Sequence, residues 1–199
     1  DVQMPQMDGL ETLEKLLQQR AVPVIMVSAQ TQIGASVTLK ALDVGAVDYV
    51  AKPGGAGSSS GWTTELVRKI RSVAGVDVRR ILEIREQRKS RVATKPVGSR
   101  VGGEGLTKSA SPASVVGVCD WCVAIGISTG GPPALASLFE AIEPPQPPIV
   151  VVQHMPAAFT TQFAARLNQL SQLEVAEAST GVVLKPNHVW IAPGGKHLR

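Results

Sequence analysis

Apolar positions recur along the chain with a helical spacing in some stretches and as short unbroken runs in others, and the alternation predicts its elements. Asp8-Gly9-Leu10-Glu11 opens a helix, with Asp8 placed to cap it, Glu11 at the capping-box position, and Leu10, Leu13 and Leu17 on one face. Val22 to Val27, ending at Ser28, has the composition of a short buried strand. Residues 31–44 have helical spacing, with Ile33, Val37 and Ala41 in register. Val47 to Ala51 is a second strand that ends at Lys52-Pro53. A Gly/Ser loop then leads to a helix from about Thr63 to Val73, with Leu66 and Ile70 inward. After a stretch poor in large apolar residues the alternation resumes. It predicts a strand at 121–127, a helix at 133–142, a strand at 149–153, a helix at 157–170, and strands at 173–177 and 188–192. The Pro-rich segment Glu143 to Pro148 stops the first of these helices. Strands alternating with helices predict an α/β protein built from parallel sheets covered by helices. The composition divides it into a first domain at 1–74, a linker at 75–119 and a second domain at 120–199.

Composition and charge narrow this picture. Apolar residues make up 44% of the 199 positions, which suits a globular protein, and no apolar run approaches the roughly 20 residues of a membrane span. Membrane insertion is therefore not expected. The formal net charge of +4 is concentrated: residues 76–108 carry nine Lys/Arg against four acids. Such a patch can bind nucleic acid, but without interleaved aromatics and with Gly, Ser and Thr following, a solvated linker is the expected reading. Cys119-Asp120-Trp121-Cys122 reads either as a redox or half-zinc pair or as two reduced thiols at the start of a buried strand. Nothing suggests a disulfide framework, and a cytoplasmic protein is expected.

Candidate chemistry sits where strands give way to helices. Ser128 ends the apolar run Trp121 to Ile127 and is followed by Thr129-Gly130-Gly131-Pro132. Such a turn places backbone N–H groups beside an exposed side chain, so it suits a phosphate-binding turn or a catalytic serine with an oxyanion hole. His154 follows the run Ile149 to Val152 and Gln153, and parallel neighbouring strands would bring it to the same edge as Ser128. A hydroxyl and an imidazole there have the makings of a nucleophile and its base. In the first half, Asp1, Ser28 and Lys52 stand at strand ends, which form the ligand crevice of an open parallel sheet. A carboxylate, a hydroxyl and an ammonium suit phosphoryl transfer to the carboxylate, with Mg²⁺ offsetting the negative charge.

The wording around these residues carries two resemblances. Asp1-Val2-Gln3-Met4-Pro5-Gln6-Met7-Asp8-Gly9, Val27-Ser28-Ala29 and Asp48-Tyr49-Val50-Ala51-Lys52-Pro53 resemble the motifs of response-regulator receiver domains. That resemblance implies a flavodoxin-like fold with Asp1 as phosphoacceptor and Mg²⁺ ligand, Ser28 and Lys52 as phosphoryl-binding residues, and Tyr49 as the switch aromatic. The receiver's paired acidic Mg²⁺ ligands would precede Asp1, so the site is expected to be incomplete here. The chain accordingly reads as a fragment, a processed N-terminus being the alternative.

Ala124 to Pro132, Val152 to Thr160, Phe163 to Asn168 and Ile191 to His197 resemble the catalytic domain of CheB-type protein-glutamate methylesterases. A doubly wound fold is implied, with Ser128 as nucleophile, His154 as base, and Thr129, Gly130 and Gly131 as turn or oxyanion residues. His188 and His197 are left as structural or surface residues. The third triad member of that family, an aspartate in a Gly-Met-Gly-x-Asp-Gly motif, is not present. Both domains are thus expected to be incomplete, and this stretch alone poorly active.

The implied activity is demethylation of receptor glutamates and deamidation of receptor glutamines by an acyl-enzyme route, with no cofactor for the esterase. The implied partners are methylated chemoreceptor cytoplasmic domains and a chemotaxis histidine kinase. The competing reading is a signalling module with no hydrolytic role. A DNA-binding regulator is disfavoured because no helix-turn-helix pattern follows the linker, and no nucleic-acid partner is expected.

Overall fold

The computed structural model describes residues 4, 6–29, 31–53, 59–83, 86 and 121–199. Asp1, Cys119 and most of the basic segment lie outside the described residues. The chain forms two parallel sheets. In the first, α1 (Gly9–Gln19), β1 (Ile25–Ser28), α2 (Gln32–Val44), β2 (Asp48–Ala51) and α3 (Ser59–Val73) surround the strand pair β1–β2. In the second, β3 (Val123–Ile127), α4 (Gly131–Ala141), β4 (Ile149–Gln153), α5 (Ala157–Leu170), β5 (Glu174–Glu177) and β6 (His188–Ile191) build a sheet of order β3-β4-β6-β5, every pairing parallel.

Local chemistry accounts for the element boundaries. Asp8 caps α1, accepting 2.8 Å from the Glu11 N–H, so the capping position read from the sequence is the one used. Thr31 caps α2 in the same way, through the Gly34 N–H at 3.0 Å. The α2 helix ends at Gly45, whose φ of +128° lies in the region that side chains avoid. A Cβ there would also meet Leu17 and Leu82, each at 2.9 Å, so α1 and the chain around residue 82 close over this turn. Residues 76–82 are thus folded onto the first unit: Val78 is buried, with Ile81 and Leu82 packed against the core.

Three burial expectations are corrected. Ile33, expected to share a face with Val37 and Ala41, is 70% exposed in the first turn of α2. The buried face runs instead through Ala35, Thr38, Leu39 and Leu42, with Ala41 also buried, since α2 packs against α1 and β1 on one side and α4 and α5 on the other. Ile70 is 50% exposed, and Lys69 is the buried residue of that α3 turn. The apolar run 121–127 is not a buried strand: it lies at a sheet edge with Val123 and Cys122 exposed. Only Ile125 and Ile127 reach the core.

In the second sheet the buried positions share one face. Ile149, Val151 and Gln153 alternate with Val150 and Val152 along β4, and Val189 and Ile191 join them from β6. Among the described residues, α4 and α5 cover that face through Leu135, Phe139, Phe159, Phe163 and Leu167. The first unit packs on the same helices through α2, so a single apolar core runs through both units.

Gly45→Ala tests the α2 stop. It forces a side chain into positive φ and against two leucines, and a loss of about 1–3 kcal/mol is expected. A shifted urea midpoint with an unchanged slope checks it; an unchanged midpoint would contradict the tight closure of residues 17, 45 and 82.

Candidate functional site

The pairing of β3 with β4 sets the site. Ile127 lies opposite Gln153, so the next residues, Ser128 and His154, leave the sheet side by side at its C-terminal edge. The His154 N–H donates back to the Ile127 carbonyl at 3.2 Å, which keeps the two chains together one residue past the ladder. After Ser128 the chain turns through Thr129 and Gly130 (φ +72°) into α4, and the Gly131 N–H closes the turn onto the Ser128 carbonyl at 2.9 Å. Pro132 and Pro133 follow in the first turn of α4, where a missing N–H costs nothing. Ser128, Thr129, Gly130 and Gly131 therefore occupy a strand-to-helix turn at a helix N-terminus, a place that favours developing negative charge.

Further side chains hold this edge. Gln153 points inward and its amide reaches both the Ser128 carbonyl, at 3.0 Å, and the His154 carbonyl, at 3.3 Å. Thr160 and Thr161 in the first turns of α5 both donate to the Glu177 carboxylate at the end of β5, while Thr160 Oγ1 accepts from the Gly194 N–H at 3.2 Å. This ties the start of α5, just after His154, to the loops that follow β5 and β6. Among the described residues no hydrogen bond joins Ser128 Oγ to the His154 ring, and the His154 side chain is exposed. The other histidines fit structural roles: His188 pairs with Glu174 at 2.9 Å and with the Pro186 carbonyl at 3.0 Å, and His197 is exposed near the end of the chain.

The first unit stands over this edge. Arg68 of α3 donates to Thr129 Oγ1 at 3.3 Å, next to Ser128. Tyr49 of β2 stacks on Phe159 of α5 with ring centroids 4.9 Å apart and planes 9° from parallel. Asp43 of α2 pairs with Arg166 of α5. A cavity of about 390 Å³ lies between the units, with Tyr49, Trp62, Glu65 and Lys69 on one wall and His154 and Met155 on the other. A larger, mainly apolar cavity of about 760 Å³ has neither Ser128 nor His154 in its wall.

The cluster beneath Tyr49 escaped the sequence reading. Lys69 is buried, donates to the Tyr49 carbonyl at 2.6 Å and to Asp48 at 3.2 Å, lies 3.7 Å from Glu65, and sits 5.0 Å from the centre of the Tyr49 ring. Asp48 explains why: a carboxylate inside a short strand must find a counter-charge, and α3 supplies it. An acid within the apolar run Val47 to Ala51 was the available signal. Burial, aided by the Asp48 and Glu65 carboxylates, pushes the Tyr49 phenol far above its ordinary range.

Of the residues expected to contact a phosphoryl group, Ser28 and Lys52 stand at adjacent strand ends. Ser28 pairs with Ala51 across β1–β2, and the Lys52 N–H donates to the Ser28 carbonyl at 2.7 Å. Ser28 Oγ donates to the Gly34 carbonyl at 3.2 Å. Asp1 lies outside the described residues. Among them no group of three or more His, Cys, Asp or Glu side chains lies together. No helix of the described residues is long and apolar enough to cross a membrane.

Comparison with known proteins places these segments. The CheB methylesterase family profile matches residues 123–199, and the response regulator receiver domain profile matches residues 1–58. A protein-glutamate methylesterase/protein-glutamine glutaminase 1 of Albidiferax ferrireducens is 43% identical over 202 residues, covering all of this chain and 52% of that protein. A protein-glutamate methylesterase/protein-glutamine glutaminase of Archaeoglobus fulgidus is 40% identical, covering all of this chain and 53% of that protein. The chain thus spans about half the length of the curated relatives it matches. A crystal structure of the Thermotoga maritima CheB methylesterase catalytic domain is 49% identical over 38% of this chain and 41% of that one, with a TM-score of 0.37.

The chain contains one tyrosine, so an alkaline titration of phenolate absorbance reads Tyr49 alone. The folded-state pKa lies above the unfolded value of about 10. The corresponding stability is therefore fully present below that pH and lost as the pH rises through and beyond it. The expected result is that phenolate absorbance appears only together with loss of the circular-dichroism signal. Ionisation near pH 10 in a chain that stays folded would contradict the stacked, buried placement.

Proposed function

We propose that this chain, whose residues 123–199 match the CheB methylesterase family and whose residues 1–58 match the receiver domain, serves a phosphorylation-regulated protein-glutamate methylesterase. The same site would act as a protein-glutamine glutaminase. The observation that carries this reading is the β3–β4 register, which sets Ser128 and His154 side by side where the α4 N-terminus faces them. In the proposed reaction Ser128 Oγ attacks the γ-carbonyl carbon of a receptor glutamate methyl ester while His154 takes the hydroxyl proton. The tetrahedral oxyanion develops near the Thr129–Gly131 turn. As it collapses, the C–O bond to methanol breaks and His154 returns the proton to the leaving methoxide. Water, activated by the same imidazole, then hydrolyses the acyl-serine. With a glutamine side chain the leaving group is ammonia.

The substrates in this reading are methylated chemoreceptor cytoplasmic domains, so the protein acts in the cytoplasm. A chemotaxis histidine kinase supplies the phosphoryl group to Asp1, and Ser28 and Lys52 contact its oxygens. Mg²⁺ is the cofactor that the receiver resemblance implies. The receiver part ends near residue 74, the basic segment 75–119 is the connector with its start folded onto the receiver, and the esterase part begins near residue 120. Before phosphorylation the receiver covers the catalytic edge through Arg68 on Thr129, Tyr49 on Phe159 and Asp43 on Arg166. Phosphorylation would free the edge by moving Tyr49, because an added charge at the Ser28–Lys52 end biases the packing of β2 and α2.

Two variants of the intact protein test the reading. Ser128→Ala is expected to lower methanol release from methylated receptors by at least about 10³-fold. Release at the unmodified rate would instead favour the non-hydrolytic signalling module. Arg68→Ala is expected to raise the rate several-fold without a phosphodonor and to change little once the protein is phosphorylated. An unchanged unphosphorylated rate would remove Arg68 from the cover.

A further inference from the structure

Gln153 breaks the apolar character of the covered face of β4, where its neighbours on that face are Ile149 and Val151. It is only 6% exposed. Its NH₂ takes its partners from the two catalytic segments, Nε2 donating to the carbonyl of Ser128 at 3.0 Å and to that of His154 at 3.3 Å, while Oε1 is buried with no partner among the described residues. The Ser128 carbonyl also accepts from the Gly131 N–H, and the His154 N–H donates to the Ile127 carbonyl. The main chain on both sides of the nucleophile–base pair is therefore pinned, and one side chain touches both halves.

The fit around this amide is close. A Cβ on Gly131 would lie 2.0 Å from Gln153 Oε1 and 2.9 Å from Cδ, so a larger residue at 131 would displace this amide. The orientation of the amide is also determined. Turned over, it would direct its oxygen at two carbonyl oxygens, so the NH₂ group must face Ser128 and His154. The exposed imidazole has no side-chain hydrogen bond among the described residues, so main-chain placement is what brings His154 to Ser128.

We propose that Gln153 is a positioning residue for the Ser128–His154 pair, its amide bridging the two carbonyls to set the separation and direction of nucleophile and base. It touches neither substrate nor the reacting atoms. This inference rests on the assignment of Ser128 and His154 above. Loss of the bridge would let the Ser128 turn and the His154 strand end move independently, and misplacement of about 1 Å can cost about 100-fold in rate.

The test uses the intact protein with methylated receptors. Gln153→Met keeps the length and removes both donors. It is expected to lower kcat by about 10- to 100-fold with KM within about twofold, and to slow labelling of Ser128 by a fluorophosphonate probe in parallel. The ratio of phosphorylated to unphosphorylated rates should not change, which separates this role from that of the receiver cover. Wild-type kcat and labelling in a folded Gln153→Met protein, with only the melting temperature lowered, would reduce the residue to a structural one and overturn the proposal. Should that variant not fold, Gln153→Asn keeps an amide too short to reach both carbonyls. It is expected to show the same fall in kcat, and wild-type kcat in it would equally overturn the proposal. Ser128→Ala run alongside distinguishes the two failures. Methanol release that persists in it defeats the catalytic assignment itself; release lost there but untouched at Gln153 defeats only the bridge.

Discussion

Two parallel strands that pair Ile127 with Gln153 leave Ser128 and His154 no choice but to emerge together from one edge of the sheet. A one-residue slip would turn Gln153 outward and His154 into the core, because side chains alternate faces along a strand. The register is held by the apolar rows behind it, where Ile149 meets Val189 and Val151 meets Ile191 under α4 and α5. Site geometry is thus a consequence of core packing several residues away. The loops beyond the edge are secured separately, by the Gln153 amide and by Glu177 holding Thr160 and Thr161.

The contact between the two units has a different physical basis. Tyr49 contributes a flat apolar face to Phe159, but its strand also carries Asp48, a charge that cannot be left alone inside the protein. Lys69 answers it and at the same time lies over the tyrosine ring. The aromatic that reaches the second unit is therefore seated on an ion pair in the first. An arrangement of this kind would suit the proposed cover, which is to be either closed or open. Around it, α2 is shared by both cores, so opening the interface exposes apolar surface as well as breaking the Arg68–Thr129 and Asp43–Arg166 contacts.

Much of this was legible in the sequence, and the exceptions have causes. The strand ends at Ser28, Lys52, Ser128 and His154 were found because turn chemistry and short apolar runs are local signals. The cap at Asp8 was found for the same reason. By helical spacing alone Ile70 was assigned inward and Ile33 to one face with Val37 and Ala41, and both are exposed. Spacing gives a face but not its partner: α2 turns its buried face toward two units at once, and α3 turns Lys69 inward to meet Asp48. The run 121–127 looked fully buried because seven apolar residues in a row have no period from which an edge can be recognised. Gln153 stood inside a quoted motif without a role, since nothing in its neighbours says that a side chain will fold back onto two carbonyls.

The order of residues by itself determined the α/β alternation, the strand-to-helix turns and the chemical groups at their ends. It also carried the two family motifs, because these features depend on neighbours within a few positions. Tertiary structure alone decided which of those groups meet. Arg68 reaches Thr129 across 61 positions of chain, Gln153 reaches Ser128 across 25, and Tyr49 finds Phe159 from the other sheet. Those meetings are set by how helices and sheets close over a common core, a balance of burial and charge pairing that no local spacing encodes.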